Sequence, residues 1–189
     1  MPPLAVLSAV MWALILERFF FLRRMGRRSL TRSGAGRLLK AGARPAEGMG
    51  ALAHLVSYVL DRRTRDPETD QYLLDEAVLV LSREFDRRLS LIGALAAAAP
   101  LLGLLGTVLG MIGAFETLSA YGTGNARALA GSVSEALLST QAGLLVAIPG
   151  LTMKNHLSRR AYDLKRRVSA AGIYLSRVLS ESQTRGAVA

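Results

Sequence analysis

The sequence contains no cysteine, only two histidines and few aromatic residues. Without cysteine, disulfides and thiolate metal sites are excluded. His54 and His156 each stand alone, with no second ligand at a spacing suited to a metal ion. There is also no Ser-His-Asp set, no pair of carboxylates and no glycine loop that follows a strand and could hold phosphate. We therefore predict that the chain is not an enzyme and needs neither metal nor cofactor.

Charge is abundant but absent from the long apolar stretches. The chain has 24 Lys and Arg against 14 Asp and Glu, a formal net charge of +10. Nearly all the basic residues lie in 23–88 and 154–185, on either side of apolar segments. Cytoplasmic loops of membrane proteins carry this bias. The distribution therefore favours a membrane protein in contact with lipid and argues against binding of nucleic acid.

Three segments are apolar enough to cross a bilayer, which takes about 20 residues. They cover 3–22, 89–115 and 133–153. The first could be a signal peptide, but its basic cluster follows the apolar run instead of preceding it. We predict a retained transmembrane helix, in which Glu17 and Arg18 pair with each other or reach the headgroups.

The remaining segments are assigned by alternation across the membrane. Residues 23–88 are predicted to be a cytoplasmic region, with a short helix over 51–60 and an amphipathic helix that starts at Asp66-Pro67. No loop signal separates this helix from the second span, so one continuous helix is expected. Residues 116–132 are predicted to be a periplasmic turn, and 154–189 a cytoplasmic helix and tail. The predicted class is all-α with three transmembrane helices, of which helices 2 and 3 extend into the cytoplasm; the N-terminus is periplasmic and the C-terminus cytoplasmic.

Small residues recur at helical spacing in two of the spans. Glycine on one side of a transmembrane helix lets another backbone approach closely, so these stripes predict helix packing. Pro100 lies inside the second span and should bend it. The stripe of the second span is Ala96, Ala99, Gly103, Gly106, Gly110 and Gly113, and that of the third is Ala136, Thr140, Gly143 and Ala147.

A few polar residues interrupt the spans. Thr107 and Thr140 lie on or beside the small-residue stripes, so both hydroxyls could line a common axis, or each could bond to its own helix backbone. Glu135 points about 140° away from Thr140 at 100° per residue and could lie at the outer rim or face a neighbouring helix. No titratable group lies near the middle of these spans. If protons cross, another chain must bring the carboxylate.

Two blocks resemble a known family. APLLGLLGTVLGMIGAF (99–115) and SEALLSTQAGLLVAIPG (134–150) are similar to the ExbB/TolQ/MotA proton-channel family, most of all to ExbB and TolQ, and WALILERFFFLRR (12–24) is similar to its first span. The resemblance implies a homopentamer around the single-span helices of an ExbD- or TolR-like partner, whose aspartate carries the proton. Proton flow would energise a TonB- or TolA-like protein that spans the periplasm. Thr107 and Thr140 match the family's pore-facing threonines, Glu135 its third-span glutamate and Pro100 its second-span proline.

The chain also departs from the family. Its first span begins almost at Met1, without the external segment that some members carry, and the 23–65 loop matches poorly. Flagellar stators of the MotA kind have a larger cytoplasmic domain, which makes that alternative weaker. A second alternative is a membrane scaffold that holds partner helices without conducting protons.

Overall fold

The computed structural model describes residues 2–27, 30–45, 50–64, 67–122 and 126–186. These residues form six α-helices and no strand, which confirms the all-α prediction. The helices are α1 (Pro2–Arg27), α2 (Arg32–Ala41), α3 (Ala51–Arg62), α4 (Pro67–Asp86), α5 (Leu89–Tyr121) and α6 (Ala126–Gly186).

Three stretches of the described chain are long and apolar enough to span a membrane: Pro2–Gly26, Glu68–Ala120 and Ala130–Ser180. Helices suit these sequences because a helix satisfies every backbone N–H and C=O inside the segment, where lipid offers no hydrogen-bond partner. The prediction of three spanning helices is confirmed by length and composition.

The short helices α2 and α3 are set by local signals. α2 ends at Gly42, whose φ of 62° is left-handed and costs glycine little. The N–H groups of Gly42 and Ala43 then bond to the carbonyls of Leu39 and Leu38, as is common at helix ends. α3 confirms the short helix predicted over 51–60. α4 begins at Pro67, the predicted first helical position, while Asp66 lies outside the described residues.

The single helix expected from the amphipathic segment into the second span is wrong. α4 ends at Asp86, α5 begins at Leu89, and Arg88 between them has a left-handed φ of 66°. Arg18 supplies a physical reason. Its guanidinium donates to the carbonyls of Glu84 (2.8 Å) and Arg87 (2.6 Å), which would otherwise accept the next N–H groups of a continuing helix.

Most of the predicted turn over 116–132 is helical instead. α5 continues to Tyr121 and α6 begins at Ala126. α5 stops at Gly122, which has a φ of 67° and bonds to the Leu118 carbonyl. The polar residues of this segment suggested a loop, but alanine at 126, 128 and 130 favours helix. Residues 123–125 lie outside the described part of the chain.

The chain divides into two compact units, Met1–Glu17 with Arg88–His156 and Arg18–Arg87 with Leu157–Ala189. In the first unit, alanine and glycine are prominent among the buried residues of α5 and α6. The second unit buries large apolar side chains: Leu39, Leu55, Leu74, Phe85, Leu157 and Leu175.

One buried carboxylate ties three helices of the second unit together. Asp70 is 2% exposed and accepts hydrogen bonds from Arg63 Nε (3.0 Å) and the Thr64 N–H (3.1 Å). Arg63 also donates to the Leu39 carbonyl at the end of α2 (3.2 Å). The buried Asp70 carboxylate is therefore paired, as its desolvation requires.

Candidate functional site

The candidate site is built on the contact between α5 and α6. Gly103 of α5 and Gly143 of α6 lie at the closest approach. A Cβ on Gly143 would be 2.8 Å from the Ala99 carbonyl oxygen and 3.1 Å from Gly103 Cα. A Cβ on Gly103 would be 3.0 Å from the Ser139 carbonyl oxygen. The two backbones touch because neither residue has a side chain.

The contact continues along both helices in an antiparallel register. A Cβ on Gly110 would be 2.7 Å from Ala136 Cβ, and one on Gly150 would be 3.2 Å from Ala96 Cβ. Higher numbers on α5 thus meet lower numbers on α6. Ala99 and Ala147 are also buried, and Pro100 is half-buried inside α5.

Not every residue of the predicted stripes lies in this contact. A Cβ on Gly113 would meet nothing within 4 Å, and Gly106 lines a cavity. A Cβ on Gly150 would also lie 2.6 Å from the sulfur of Met11, so α6 packs closely against α1 as well. The third span thus packs against both α5 and α1, and the sequence pattern did not reveal the second of these contacts.

Thr107 and Thr140 lie on the same side of the α5–α6 pair. At 100° per residue, Thr107 is about 40° from Gly103, and Thr140 is about 60° from Gly143 in the same rotational sense. In antiparallel helices that face each other, the same sense of rotation leads to the same side. Both threonines are half-buried within the chain.

The two threonine hydroxyls differ in their hydrogen bonding. Thr107 Oγ1 donates to the Leu104 carbonyl of its own helix at 2.7 Å, the backbone bond that the sequence left as an alternative. Thr140 forms no hydrogen bond through its side chain with any residue that the structure describes. The Thr140 hydroxyl can therefore donate its proton to a group from another chain, whereas the Thr107 proton is already donated to Leu104.

Glu135 lies on the opposite side of the pair. It lines a cavity of about 410 Å³ with Ser132 and Ser139 of α6, residues 2–4 of α1 and one side of α5. By the same rotation it lies about 80° from Gly143, in the sense opposite to Thr140. Glu135 and the two threonines thus do not share one surface.

Ser139 is the buried polar residue of the contact; it is one of the polar residues of the third span, but the predicted small-residue stripe did not include it. It is 2% exposed, and its hydroxyl donates to the Glu135 carbonyl at 3.0 Å. A signal was present, since Ser139 lies four residues before Gly143 and so on the same helix face. The pattern of small residues at three and four would have found it.

The sequence left open whether Glu17 and Arg18 pair with each other or reach the headgroups. Glu17 forms its ion pair with Arg88. Arg18 lies 3.8 Å from a Glu84 carboxylate oxygen besides its bonds to two carbonyls. Each of the two side chains thus has a charged partner outside α1. Among the described residues, no group of three or more His, Asp or Glu could hold a metal ion.

A family model described as the MotA/TolQ/ExbB proton channel family matches residues 32–170, most of the chain and all of the α5–α6 contact. The chain belongs to this family.

Several curated members of the MotA/TolQ/ExbB family are similar to the chain. Biopolymer transport protein ExbB of Neisseria gonorrhoeae is 31% identical over 173 residues, covering 82% of this chain and 78% of the relative. The ExbB protein of Pseudomonas putida is 28% identical over 183 residues, covering 89% and 55%. That of Xanthomonas campestris pv. campestris (strain B100) is 41% identical over 86 residues, covering 46% and 34%. Because the chain belongs to this family and has three helices apolar enough to span a membrane, it is a multi-pass bacterial membrane protein of the proton-channel class.

Proposed function

We propose that the chain is the proton-channel subunit of a motor in the bacterial inner membrane, driven by the proton-motive force. The motor energises a TonB- or TolA-like protein that spans the periplasm and acts on transport across, or integrity of, the outer membrane. The observation that carries the proposal is the location of Thr107 and Thr140 on one side of the α5–α6 pair.

The absence of a carboxylate from the middle of the second and third spans supports the presence of a partner chain that supplies one. Residues 89–115 and 136–153 contain no acidic or basic side chain, and a proton path needs a titratable group at membrane depth. We propose that a single-span ExbD- or TolR-like protein brings an aspartate to the side that carries the threonines. Five copies of this chain would surround the partner helices.

The orientation follows from the basic residues. Arg23 and Arg24 follow the first apolar segment, and Lys154, Arg159 and Arg160 follow the third. By the positive-inside rule these ends face the cytoplasm. We therefore assign a periplasmic N-terminus and a cytoplasmic C-terminus. The ExbB names of the relatives favour biopolymer transport over a MotA-like flagellar stator.

Replacing Thr140 with Val tests the assignment. The variant keeps the shape of the side chain and removes only the free hydroxyl, so assembly should persist while energised uptake falls to background. Proton flux into vesicles that hold the chain with its co-purified partner is the direct measurement. Thr152→Val is the matched control, because Thr152 lies on the same helix, about 180° from Gly143, and bonds to the Ile148 carbonyl at 2.8 Å.

Unchanged flux in Thr140→Val would overturn the pore assignment. Equal loss in Thr152→Val would show a general requirement for hydroxyls in α6 and would also contradict it.

A second candidate function is a scaffold that holds partner helices and conducts nothing. Its support is the Thr107 hydroxyl, which is already bonded to Leu104 of its own helix, together with the close glycine packing. A scaffold predicts assembly with the partner, no proton flux, and no effect of either Thr107→Val or Thr140→Val.

A further inference from the structure

Two arginines of the second unit lie over the same aromatic ring. The guanidiniums of Arg23 on α1 and Arg160 on α6 both lie over Phe19, 5.9 and 5.7 Å from its ring centre. Cation–π contacts of this kind hold a guanidinium in place without neutralising its charge. The two arginines are therefore positioned by the fold before any ligand arrives.

Two adjoining cavities lie beside these arginines. The first, of about 360 Å³, is lined by Arg23, Arg160 and Arg167, with Leu22, Gly26, Asp163 and Leu164. The second, of about 600 Å³, shares Asp163 and Arg167 and adds Arg32 and Arg166. We name the two cavities together the arginine groove.

The charge of the arginine groove is not compensated by any side chain that the structure describes. It contains five arginines and one carboxylate, Asp163, and none of these six side chains forms an ion pair with any side chain that the structure describes. Some arginines elsewhere in this unit are paired, such as Arg44 with Asp61 and Arg63 with Asp70, and others, such as Arg24 and Arg159, form no ion pair with a described side chain. What distinguishes the groove is that five arginines and a single carboxylate line adjoining cavities, which leaves a net positive charge that an anion from outside the chain would neutralise.

The position of the groove limits what that anion can be. Arg23 comes directly after the apolar segment 3–22, so its end of α1 lies at the boundary between hydrocarbon and headgroups. Leu22 and Leu164 add apolar surface to the same cavity. Phosphate headgroups attached to acyl chains are the anions present at that depth.

We propose that the arginine groove binds the phosphate of an anionic phospholipid headgroup. Guanidinium groups bind phosphate oxygens through two parallel N–H···O bonds, which makes arginine better suited than lysine to a fixed site. Arg23 and Arg160 hold the phosphate, and Leu22 and Leu164 contact the start of the lipid chains. This inference depends on membrane insertion and not on proton conduction.

Two double variants of equal charge test the site. Arg23→Gln with Arg160→Gln removes both arginines that contact Phe19. Arg24→Gln with Arg159→Gln is the matched control, since these exposed neighbours carry the same charge and line neither cavity. The full chain, purified with its natural partners, is titrated with phosphatidylglycerol or phosphatidylcholine, and native mass spectrometry counts bound lipid.

We expect the parent chain and the Arg24/Arg159 variant to bind phosphatidylglycerol more tightly than phosphatidylcholine, and the Arg23/Arg160 variant to bind it roughly tenfold more weakly. Equal weakening in both variants would reduce the effect to general surface charge and overturn the proposal. So would equal binding of the two lipids, or full displacement of phosphatidylglycerol by an equal concentration of inorganic phosphate. Because the readout is bound lipid, loss of proton flux alone would count only against the proposed function.

A variant that fails to fold would leave lipid counts meaningless, so single substitutions provide a second test. Arg160→Gln and Arg159→Gln are neighbours on the exposed side of α6. The first should weaken phosphatidylglycerol binding severalfold and the second should not; identical behaviour of the two would contradict the site. Arg160→Lys should restore only part of the affinity, because it keeps the charge and loses the paired bonds.

Discussion

The α5–α6 contact of the first unit and the core of the second unit bury different kinds of residue. In the first unit, the α5–α6 contact is made by glycine and alanine, while large side chains such as Leu104 and Leu145 point outward. In the second unit, Phe85, Leu74 and Leu175 are completely buried, and the exposed positions carry most of the charge.

The difference is the one expected if the α5–α6 contact lies in lipid and the core of the second unit lies in water. In water, burying a large apolar side chain is favourable in proportion to its area. In lipid that gain vanishes, since acyl chains are as apolar as leucine, and close backbone contact becomes the main source of attraction. Glycine and alanine therefore make the α5–α6 contact while large apolar side chains fill the core of the second unit, although both units are helical.

Phe85→Ala should give the largest effect on stability. The side chain is 0% exposed, and truncating a buried Phe costs about 3–5 kcal/mol through lost transfer energy and the cavity left behind. Chemical denaturation in detergent, followed by circular dichroism, measures the change. Leu79→Ala, at a position 58% exposed on the same helix, is the control and should stay within about 0.5 kcal/mol. A mild effect at Phe85 would mean that the second unit is not packed as a water-soluble core.

Gly143→Ala should be destabilising by about 1–3 kcal/mol, because the added methyl meets two backbone atoms that cannot rotate away. Gly113→Ala is the matched control. Nothing lies within 4 Å of its added methyl, so it should stabilise α5 by roughly 0.5–1 kcal/mol through helix propensity. Thermal unfolding in the same detergent compares the two. Effects of the same sign would refute the backbone contact between α5 and α6.

Leu145→Ala should have the smallest effect, below about 0.5 kcal/mol. Leu145 is 73% exposed in the first unit, where lipid or detergent replaces any contact that the side chain gives up. Leu175→Ala in the second unit is the same chemical change at a buried position and should cost about 2–5 kcal/mol. The same denaturation measurement applies to both. Equal costs would remove the distinction between the units.

Much of the fold could be predicted from sequence because long apolar runs and small-residue spacing are local patterns. The three spanning helices, the helix near 51–60 and the start at Pro67 all follow from residues close in the chain. The family followed from two blocks that include the α5–α6 contact.

The remaining features depend on partners far apart in sequence. The break before Leu89 reflects Arg18, which lies 66 residues from Glu84. The third span also packs against Met11 of α1 through Gly150. No pattern within 133–153 indicates this contact. At the candidate site, the helical spacing of the sequence already predicted that Glu135 and Thr140 point in different directions. Only the packing of α5 against α6 shows that Thr107 and Thr140 lie on the same side of the pair. Their role in a pore stays a prediction.

The hydrogen bond of Thr107 restricts what can meet it. A hydroxyl has one proton to donate and two lone pairs to accept with, and the Thr107 proton is committed to Leu104. A group that approaches from another chain finds an acceptor only. Water or a protonated carboxylic acid can bond to it directly, whereas an ionised carboxylate cannot unless Thr107 first releases Leu104. In its present rotamer, Thr107 therefore discriminates between the two protonation states of an acid.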